Sequence, residues 1–204
     1  AAVGISRLGE PPLDESAPFL PQWKRNPYMA TKREAEELAL GETGLEVVVV
    51  NPSTIYGGGD IKMNTGVVFK KLKYRKLKVI PPGGTGLVSV NDCVTGHLLA
   101  MERGVPGNRY ILNTANVPFR ELFYRMAEVL QVPGPVHALP RFLAAPLLAG
   151  TWLAEKFGGK VSLHVIRIGF AQRYFDASRA KRELGWEPAQ DLRGMLEEAV
   201  PFYE

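Results

Sequence analysis

The apolar residues of this chain follow two spacings, one typical of helices and one typical of buried strands. Residues 28–40 contain no helix breaker, Pro27 suits a first helical turn, and Gly41 is a natural stop. After a turn at 41–44, the β-branched run at 45–50 predicts a strand that is buried on both faces. A helix, a tight turn and a buried strand are typical of an α/β protein with a parallel sheet.

The rest of the chain continues this alternation. We expect a strand end at 1–6, a strand and turn at 79–86, strands at 87–90 and 109–112, and helices at 63–76, 118–130, 161–172, 177–184 and 191–203. Asn91 or Asp92 is expected to cap a helix that ends near Arg103. Residues 140–157 predict two short helices or one bent helix. Residues 6–26 predict a long proline-rich loop, and loops of this length in compact domains are more often functional than idle.

Composition and charge limit the class of protein. The 204 residues include 46% hydrophobic and 23% charged residues, as is usual for a globular protein, and the formal net charge is +4. This mild basicity suits anionic ligands but is too weak to indicate nucleic acid. Cys93 is the single cysteine, so no internal disulfide is possible. The sequence contains no run of about 18 apolar residues, the length that a membrane-spanning helix needs. We therefore expect a cytoplasmic protein whose partners are neither nucleic acid nor membrane.

Tyr28 and Lys32 are candidates for proton transfer. They are four residues apart on the predicted helix and therefore project from one face, about one turn apart. A neighbouring ammonium favours the phenolate and lowers the pKa of a tyrosine, which makes the phenol a better acid and base near neutrality. The alternative is a surface tyrosine and a surface lysine that lie together by chance.

The segment after the predicted strand is a candidate ligand loop. It reads Asn51-Pro52-Ser53-Thr54-Ile55-Tyr56-Gly57-Gly58-Gly59-Asp60. Pro52 interrupts ladder pairing, and the glycines allow a close backbone approach. In open parallel sheets, ligands bind beyond the carboxyl ends of the strands, and the hydroxyls of Ser53 and Thr54 suit phosphate or ribose. The alternative is a plain turn without a ligand.

Other common site motifs are absent from the sequence. It contains no G-x-G-x-x-G, no P-loop, no H-E-x-x-H, no EF-hand loop and no G-x-S-x-G elbow. The three histidines are scattered along the chain, so we expect no metal site.

Five blocks of residues, in a fixed order, point to a family. They are Tyr28-x-x-x-Lys32, 51–57, 87–97, 108–112 and 175–188. This order resembles the extended short-chain dehydrogenase/reductases, the NAD-dependent epimerase/dehydratase family, and most of all its dihydroflavonol-4-reductase-like branch. The resemblance covers nearly the whole chain, and the order of the five blocks is more specific than any one of them.

The resemblance implies both chemistry and cofactor. Tyr28 would be the catalytic acid and base, and Lys32 would hold the nicotinamide ribose and lower the pKa of Tyr28. Pro52, Ser53 and Thr54 would lie against the nicotinamide and the phosphates of NADP or NAD. The implied activity is reduction of a carbonyl on a small molecule, and the complete protein would form a homodimer.

The resemblance also implies a division of the chain. Residues 1–56 and 86–113 would be the C-terminal part of a Rossmann-like NAD(P)-binding domain with a parallel sheet. Residues 57–85 and 114–204 would form a smaller, mostly helical substrate-binding lobe. We therefore expect an α/β protein of two parts.

The sequence departs from the family pattern at its beginning. It lacks the glycine-rich dinucleotide fingerprint, and the family's catalytic Ser or Thr would fall just before Ala1. We therefore expect the C-terminal part of a longer protein, which alone would be inactive, would bind dinucleotide weakly and would need the missing half or a partner for solubility. Two other functions stay open, a nucleotide-sugar epimerase or dehydratase of the same family and a non-catalytic binding or assembly module.

Overall fold

Helices and short strands alternate along the chain, as the sequence predicts. The computed structural model describes residues 4–5, 9–21, 23–63, 65–135, 137–157 and 163–203. Most of the predicted strand end at 1–6 and the first two residues of the predicted helix at 161–172 lie outside these ranges. The strands are β1 (Val49–Pro52), β2 (Thr54–Tyr56), β3 (Val79–Ile80), β4 (Gly84–Ser89), β5 (Arg109–Leu112), β6 (Ala115–Pro118), β7 (His137–Ala138) and β8 (Gln172–Arg173). The α-helices are α1 (Pro27–Leu40), α2 (Gly66–Lys73), α3 (Val90–Arg103), α4 (Phe119–Val129), α5 (Ala144–Lys156), α6 (Leu163–Gly169) and α7 (Leu192–Ala199).

Local capping chemistry fixes the ends of α1. Asn26 is the N-cap, and its side-chain oxygen accepts a hydrogen bond from the backbone N–H of Met29 at 3.3 Å. Pro27 occupies the first turn, where its missing N–H costs nothing. At the other end, the N–H of Gly41 donates to the carbonyl of Glu37 at 3.0 Å. The prediction of a helix that ends before Gly41 is confirmed.

The strand predicted at 45–50 is wrong in position and in burial. The observed β1 covers Val49–Pro52, is only partly buried, and pairs in parallel with β5, with Val49 opposite Arg109. Pairing sets these bounds, because β5 supplies partners only from Arg109 onward. Before that point, the backbone N–H of Gly107 donates a hydrogen bond to the carbonyl of Val47 at 2.8 Å. Apolar spacing alone does not report where a neighbouring strand begins.

A second sheet forms around β4. This strand is buried at every residue and pairs in parallel with β2 and β8 and antiparallel with β6. The predicted strand at 87–90 is therefore too short and begins too late. The predicted cap at Asn91 or Asp92 is also wrong, because Ser89 caps α3 by accepting a hydrogen bond from the N–H of Asp92 at 2.9 Å.

Backbone conformation also shortens α2 relative to the predicted helix at 63–76. Arg75 has a φ of 55°, which ends the helical path at Lys73.

At 140–157 a short 3₁₀ turn, Arg141–Leu143, leads into α5. Gly185, at a φ of 68°, stops the π-helical turn Ala180–Leu184, so the predicted end before this glycine is confirmed.

Two apolar clusters surround these sheets. The smaller packs Trp186, Tyr110 and Leu112 under α3, and the larger packs Phe69, Leu87 and Met195 among α2, α4 and α7. In the described part of the chain, no helix is both long enough and apolar enough to cross a bilayer.

Candidate active site

A cleft of about 820 Å³ opens where β1 ends and α1 begins. It is lined by the first turn of α1 with Tyr28 and by the strand end with Pro52, Ser53 and Thr54. Residues from far along the chain, including Arg173, also line it. The cleft therefore lies beyond the carboxyl end of a parallel strand, where ligands bind in open α/β sheets.

The structure brings four of the five sequence-predicted residues to this cleft. Tyr28 is 62% exposed, so its phenol is accessible. Pro52, Ser53 and Thr54 all line the cleft. Lys32 lies on α1 one turn beyond Tyr28 and is not among the residues that line the cleft.

A buried carboxylate fixes the helix that carries Tyr28 and Lys32. Glu36 is one turn beyond Lys32, and its side chain is only 3% exposed. Its Oε1 atom pairs with Arg109 of β5 at 3.0 Å and with Arg33 at 3.4 Å. These pairs compensate the cost of burying a charge and join α1 to the sheet. Sequence reasoning missed Glu36, although its spacing of four from Lys32 places it on the same helical stripe.

Hydrogen bonds hold the strand end in place. The N–H of Ser53 donates to the carbonyl of Leu112 at 2.9 Å, and the hydroxyls of Thr54 and Thr85 lie 2.9 Å apart. The hydroxyl oxygen of Ser53 is buried and has no hydrogen-bond partner. A buried hydroxyl without a partner is costly.

The glycine turn after β2 forms the rim of the cleft. Gly57 has a φ of 149°, and a Cβ atom there would lie 2.4 Å from Cγ1 of Val90. Gly59 has a φ of 89°, a conformation that favours glycine. The carboxylate of Asp60 closes the turn by accepting hydrogen bonds from the N–H groups of Thr65 at 2.8 Å and Gly66 at 2.9 Å.

Burial shifts the ionisation of two groups beside the cleft. Burial raises the pKa of Tyr56 well above its usual range, so its phenol stays neutral. Burial also lowers the pKa of the Arg173 guanidinium, with the nearby Tyr56 acting weakly in the other direction. Sequence reasoning did not single out Arg173, since one arginine in a short strand carries no pattern.

No cluster of three or more potential metal ligands occurs among the residues that the structure describes. His97 instead lies within 2.7 Å of the carbonyl of Cys93 on α3, which is a local helical contact.

Comparisons with known proteins identify similar sequences over the whole chain. A sequence model of the "NAD dependent epimerase/dehydratase family" matches residues 6–113. A relative from Synechocystis sp., named "Putative dihydroflavonol 4-reductase", is 30% identical over 220 residues, which are 100% of this chain and 62% of the relative. A relative from Arabidopsis thaliana, named "3beta-hydroxysteroid-dehydrogenase/decarboxylase isoform 1", is 27% identical over 93% of this chain and 48% of the relative.

A solved structure agrees with the observed fold. The crystal structure of gox2253 superposes with a TM-score of 0.84 at 30% identity and covers 99% of this chain and 63% of that protein. The chain thus spans less than two thirds of the length of each of these proteins.

Proposed function

Because the chain belongs to the NAD-dependent epimerase/dehydratase family, we propose that the polypeptide carrying it is an NAD(P)-dependent oxidoreductase that reduces the carbonyl of a small molecule. The similarity to proteins named as a dihydroflavonol reductase and a hydroxysteroid dehydrogenase supports a carbonyl and alcohol interconversion. We also propose a cytoplasmic location and, for the complete protein, a homodimer.

One observation supports this proposal more than any other. An accessible phenol, Tyr28, and the strand end 52–54 line the same cleft at the carboxyl edge of a parallel sheet. A carbonyl reduction needs a proton donor beside a hydride donor, and this cleft offers a phenol next to a place for a ligand.

The chain's residues take the following proposed roles. Tyr28 gives a proton to the carbonyl oxygen, or takes it from the alcohol in the reverse direction. Lys32, one helical turn beyond Tyr28, holds the ribose next to the nicotinamide. The strand end, with Pro52, Ser53 and Thr54, contacts the nicotinamide and the phosphates. When bound, the cofactor supplies the hydride, while the protein supplies orientation.

The residues at the strand end fit a dinucleotide. The Ser53 hydroxyl is buried without a protein partner and can bond a polar group of the cofactor. The glycines at 57–59 leave the rim free of side chains, so that a ligand can approach the backbone closely.

Replacing the phenol tests the proposal. Tyr28→Phe, made in the polypeptide that carries this sequence, is expected to lower carbonyl-dependent oxidation of NADPH or NADH by about 10² to 10⁴ fold. Its affinity for the cofactor, measured by fluorescence titration, should not change. Tyr74→Phe is the matched control, because Tyr74 is also 62% exposed but lies outside the cleft.

Other outcomes would redirect the assignment. If Tyr28→Phe keeps its turnover, another group handles the proton. If the unaltered protein consumes no reduced cofactor but converts nucleotide sugars, it is an epimerase or dehydratase of the same family. If it binds ligands and converts none of them, it is a non-catalytic module.

A further inference from the structure

Arg173 contributes a cation to the cleft, and no carboxylate among the described residues forms an ion pair with it. Its Nε atom is buried and has no hydrogen-bond partner. Within the described ranges, none of the ion pairs includes this guanidinium. Burying an unpaired charge is expensive, so proteins seldom keep such a group without a use for it.

Strand pairing places Arg173 beside the strand end. β6 occupies one edge of β4, so β2 and β8 must share the other edge. Arg173 is opposite Thr85, and Thr54 is opposite Leu87, two residues further along β4. Positions two apart on a strand face the same side of the sheet, separated by about 7 Å. Arg173 and Thr54 therefore belong to one face of the sheet, and both line the cleft.

The groups around Arg173 leave its charge uncompensated. Tyr56, which acts electrostatically on Arg173, has a pKa raised by burial and stays neutral. The carboxylate of Asp60 also lines the cleft and accepts hydrogen bonds from Thr65, Gly66 and Tyr203, and none of the ion pairs among the described residues joins it to Arg173. A second cation that lines the cleft, Lys62, is exposed to solvent.

We propose that the Arg173 guanidinium binds an anionic group of the substrate, a carboxylate or a phosphoryl group, so that the substrate is a carbonyl compound bearing a negative charge. This inference rests on the proposed function, because it places the reacting carbonyl near Tyr28 and the anion near Arg173. A guanidinium suits both anions because its planar donors match two oxygens at once. Arg173 then selects the substrate and takes no part in the chemistry.

Charge-matched probes test the proposal without turnover. Calorimetry would measure binding of 4-carboxybenzaldehyde, its neutral methyl ester and 4-formylphenyl phosphate to the polypeptide that carries this sequence, with saturating NADP⁺ or NAD⁺. The two anions should bind at least about tenfold more tightly than the ester. Arg173→Met should weaken binding of the anion that binds more tightly by about 10- to 100-fold and should leave the affinity for the ester unchanged. The ratio between the two anions distinguishes a carboxylate site from a phosphoryl site.

Three further variants and measurements separate this role from a structural one. Arg173→Lys keeps the charge and should recover part of the anion affinity. Lys62→Met removes the exposed cation from the same cleft and should cost less affinity than Arg173→Met. Urea unfolding should find Arg173→Met at least as stable as the parent, since it removes an unpaired cation whose Nε atom is buried.

Several results would overturn the assignment. The first is equal affinity of the parent for the two anions and the ester. The second is a larger loss of anion affinity in Lys62→Met than in Arg173→Met. The third is an Arg173→Met variant that loses affinity for the cofactor rather than for the anions. Failure of the proposed function has a different signature, in which the anions still bind selectively but no carbonyl compound is reduced in a Tyr28-dependent way.

Discussion

The side-chain amide of Asn51 donates a hydrogen bond to Glu36 at 2.8 Å, which ties α1 to the end of β1. Asn51 directly precedes the strand end that lines the cleft, and Glu36 follows Tyr28 and Lys32 on one helical stripe. The distance between the proposed proton donor and the proposed cofactor-binding segment therefore depends on a buried carboxylate that does not itself line the cleft.

Removing this carboxylate should destabilise the fold. Glu36→Ala leaves Asn51 and Arg109 without their shared acceptor, and we expect it to lower the free energy of unfolding by about 3 kcal/mol. Glu36→Gln keeps a neutral acceptor and should cost less, about 1–2 kcal/mol. Urea unfolding monitored by circular dichroism measures both losses.

Glu37 provides the matched control on the same helix. It pairs with Arg33 at 2.7 Å, but its side chain is 61% exposed. Surface ion pairs contribute little, so Glu37→Gln should have a much smaller effect than Glu36→Gln. Equal losses in the two glutamine variants would show that the buried network does not anchor α1.

The rim of the cleft should depend on glycine at position 57. Gly57→Ala adds a Cβ atom 2.4 Å from the Val90 side chain in a backbone conformation that alanine rarely adopts, and should destabilise the protein by about 1–3 kcal/mol. Gly59→Ala meets no atom within 4 Å but has a positive φ, so its loss should be smaller. Gly44→Ala has neither problem and should be close to neutral. Thermal unfolding ranks the three, and a Gly57 variant as stable as the Gly44 variant would contradict the close approach of Val90.

Features with local causes could be predicted from the sequence. The bounds of α1 follow from Pro27 and Gly41, and the stop before Gly185 follows from the left-handed conformation that glycine allows. The helical spacing of Tyr28 and Lys32 is local in the same sense.

Features set by distant partners could not be predicted. The start of β1 depends on where β5 offers pairing partners, and Arg109, the partner of Val49, lies 60 residues later in the sequence. The cap of α3 could not be chosen by composition, because Ser89, Asn91 and Asp92 are all good N-cap residues and only the backbone path selects the serine. Glu36 and Arg173 look like ordinary charged residues in the sequence, and only the fold buries the carboxylate of one and the Nε atom of the other.

The hydroxyl of Ser53 should serve binding and not stability. Ser53→Ala removes a buried oxygen that has no partner, so the free energy of unfolding should stay level or rise. Its affinity for NADPH or NADH should fall by about tenfold, since the lost hydrogen bond is one that only the ligand would form. Calorimetry and urea unfolding measure the two effects separately.

A second buried hydroxyl supplies the control for Ser53. The Oγ1 atom of Thr114 is also buried without a partner, but Thr114 does not line the cleft. Thr114→Val should therefore leave cofactor affinity unchanged while its stability stays level or rises. A cofactor affinity that is unaffected in Ser53→Ala would remove Ser53 from the binding site.

Two adjacent carboxyls should give opposite pH dependence. Burial raises the pKa of Glu15 above its ordinary value of 4.5, against weaker opposing effects from the Ile111 N–H, which donates to it at 2.8 Å, and from Arg179. The Ser16 hydroxyl, which donates to Asp14 at 2.6 Å, lowers the pKa of Asp14 below its ordinary value of 3.8. The folded state therefore binds the Glu15 proton more tightly than the unfolded state does, and the Asp14 proton less tightly.

The sign of each effect follows from this linkage. As the pH falls from about 7 through the raised pKa of Glu15 towards 4.5, the parent should gain stability relative to Glu15→Gln, which has no proton to bind there. As the pH falls through 3.8 and then through the lowered pKa of Asp14, the parent should instead lose stability relative to Asp14→Asn. Urea unfolding of the three proteins across this range measures both differences. A Glu15 difference that is independent of pH would mean that its carboxyl is as well solvated in the folded chain as in the unfolded one.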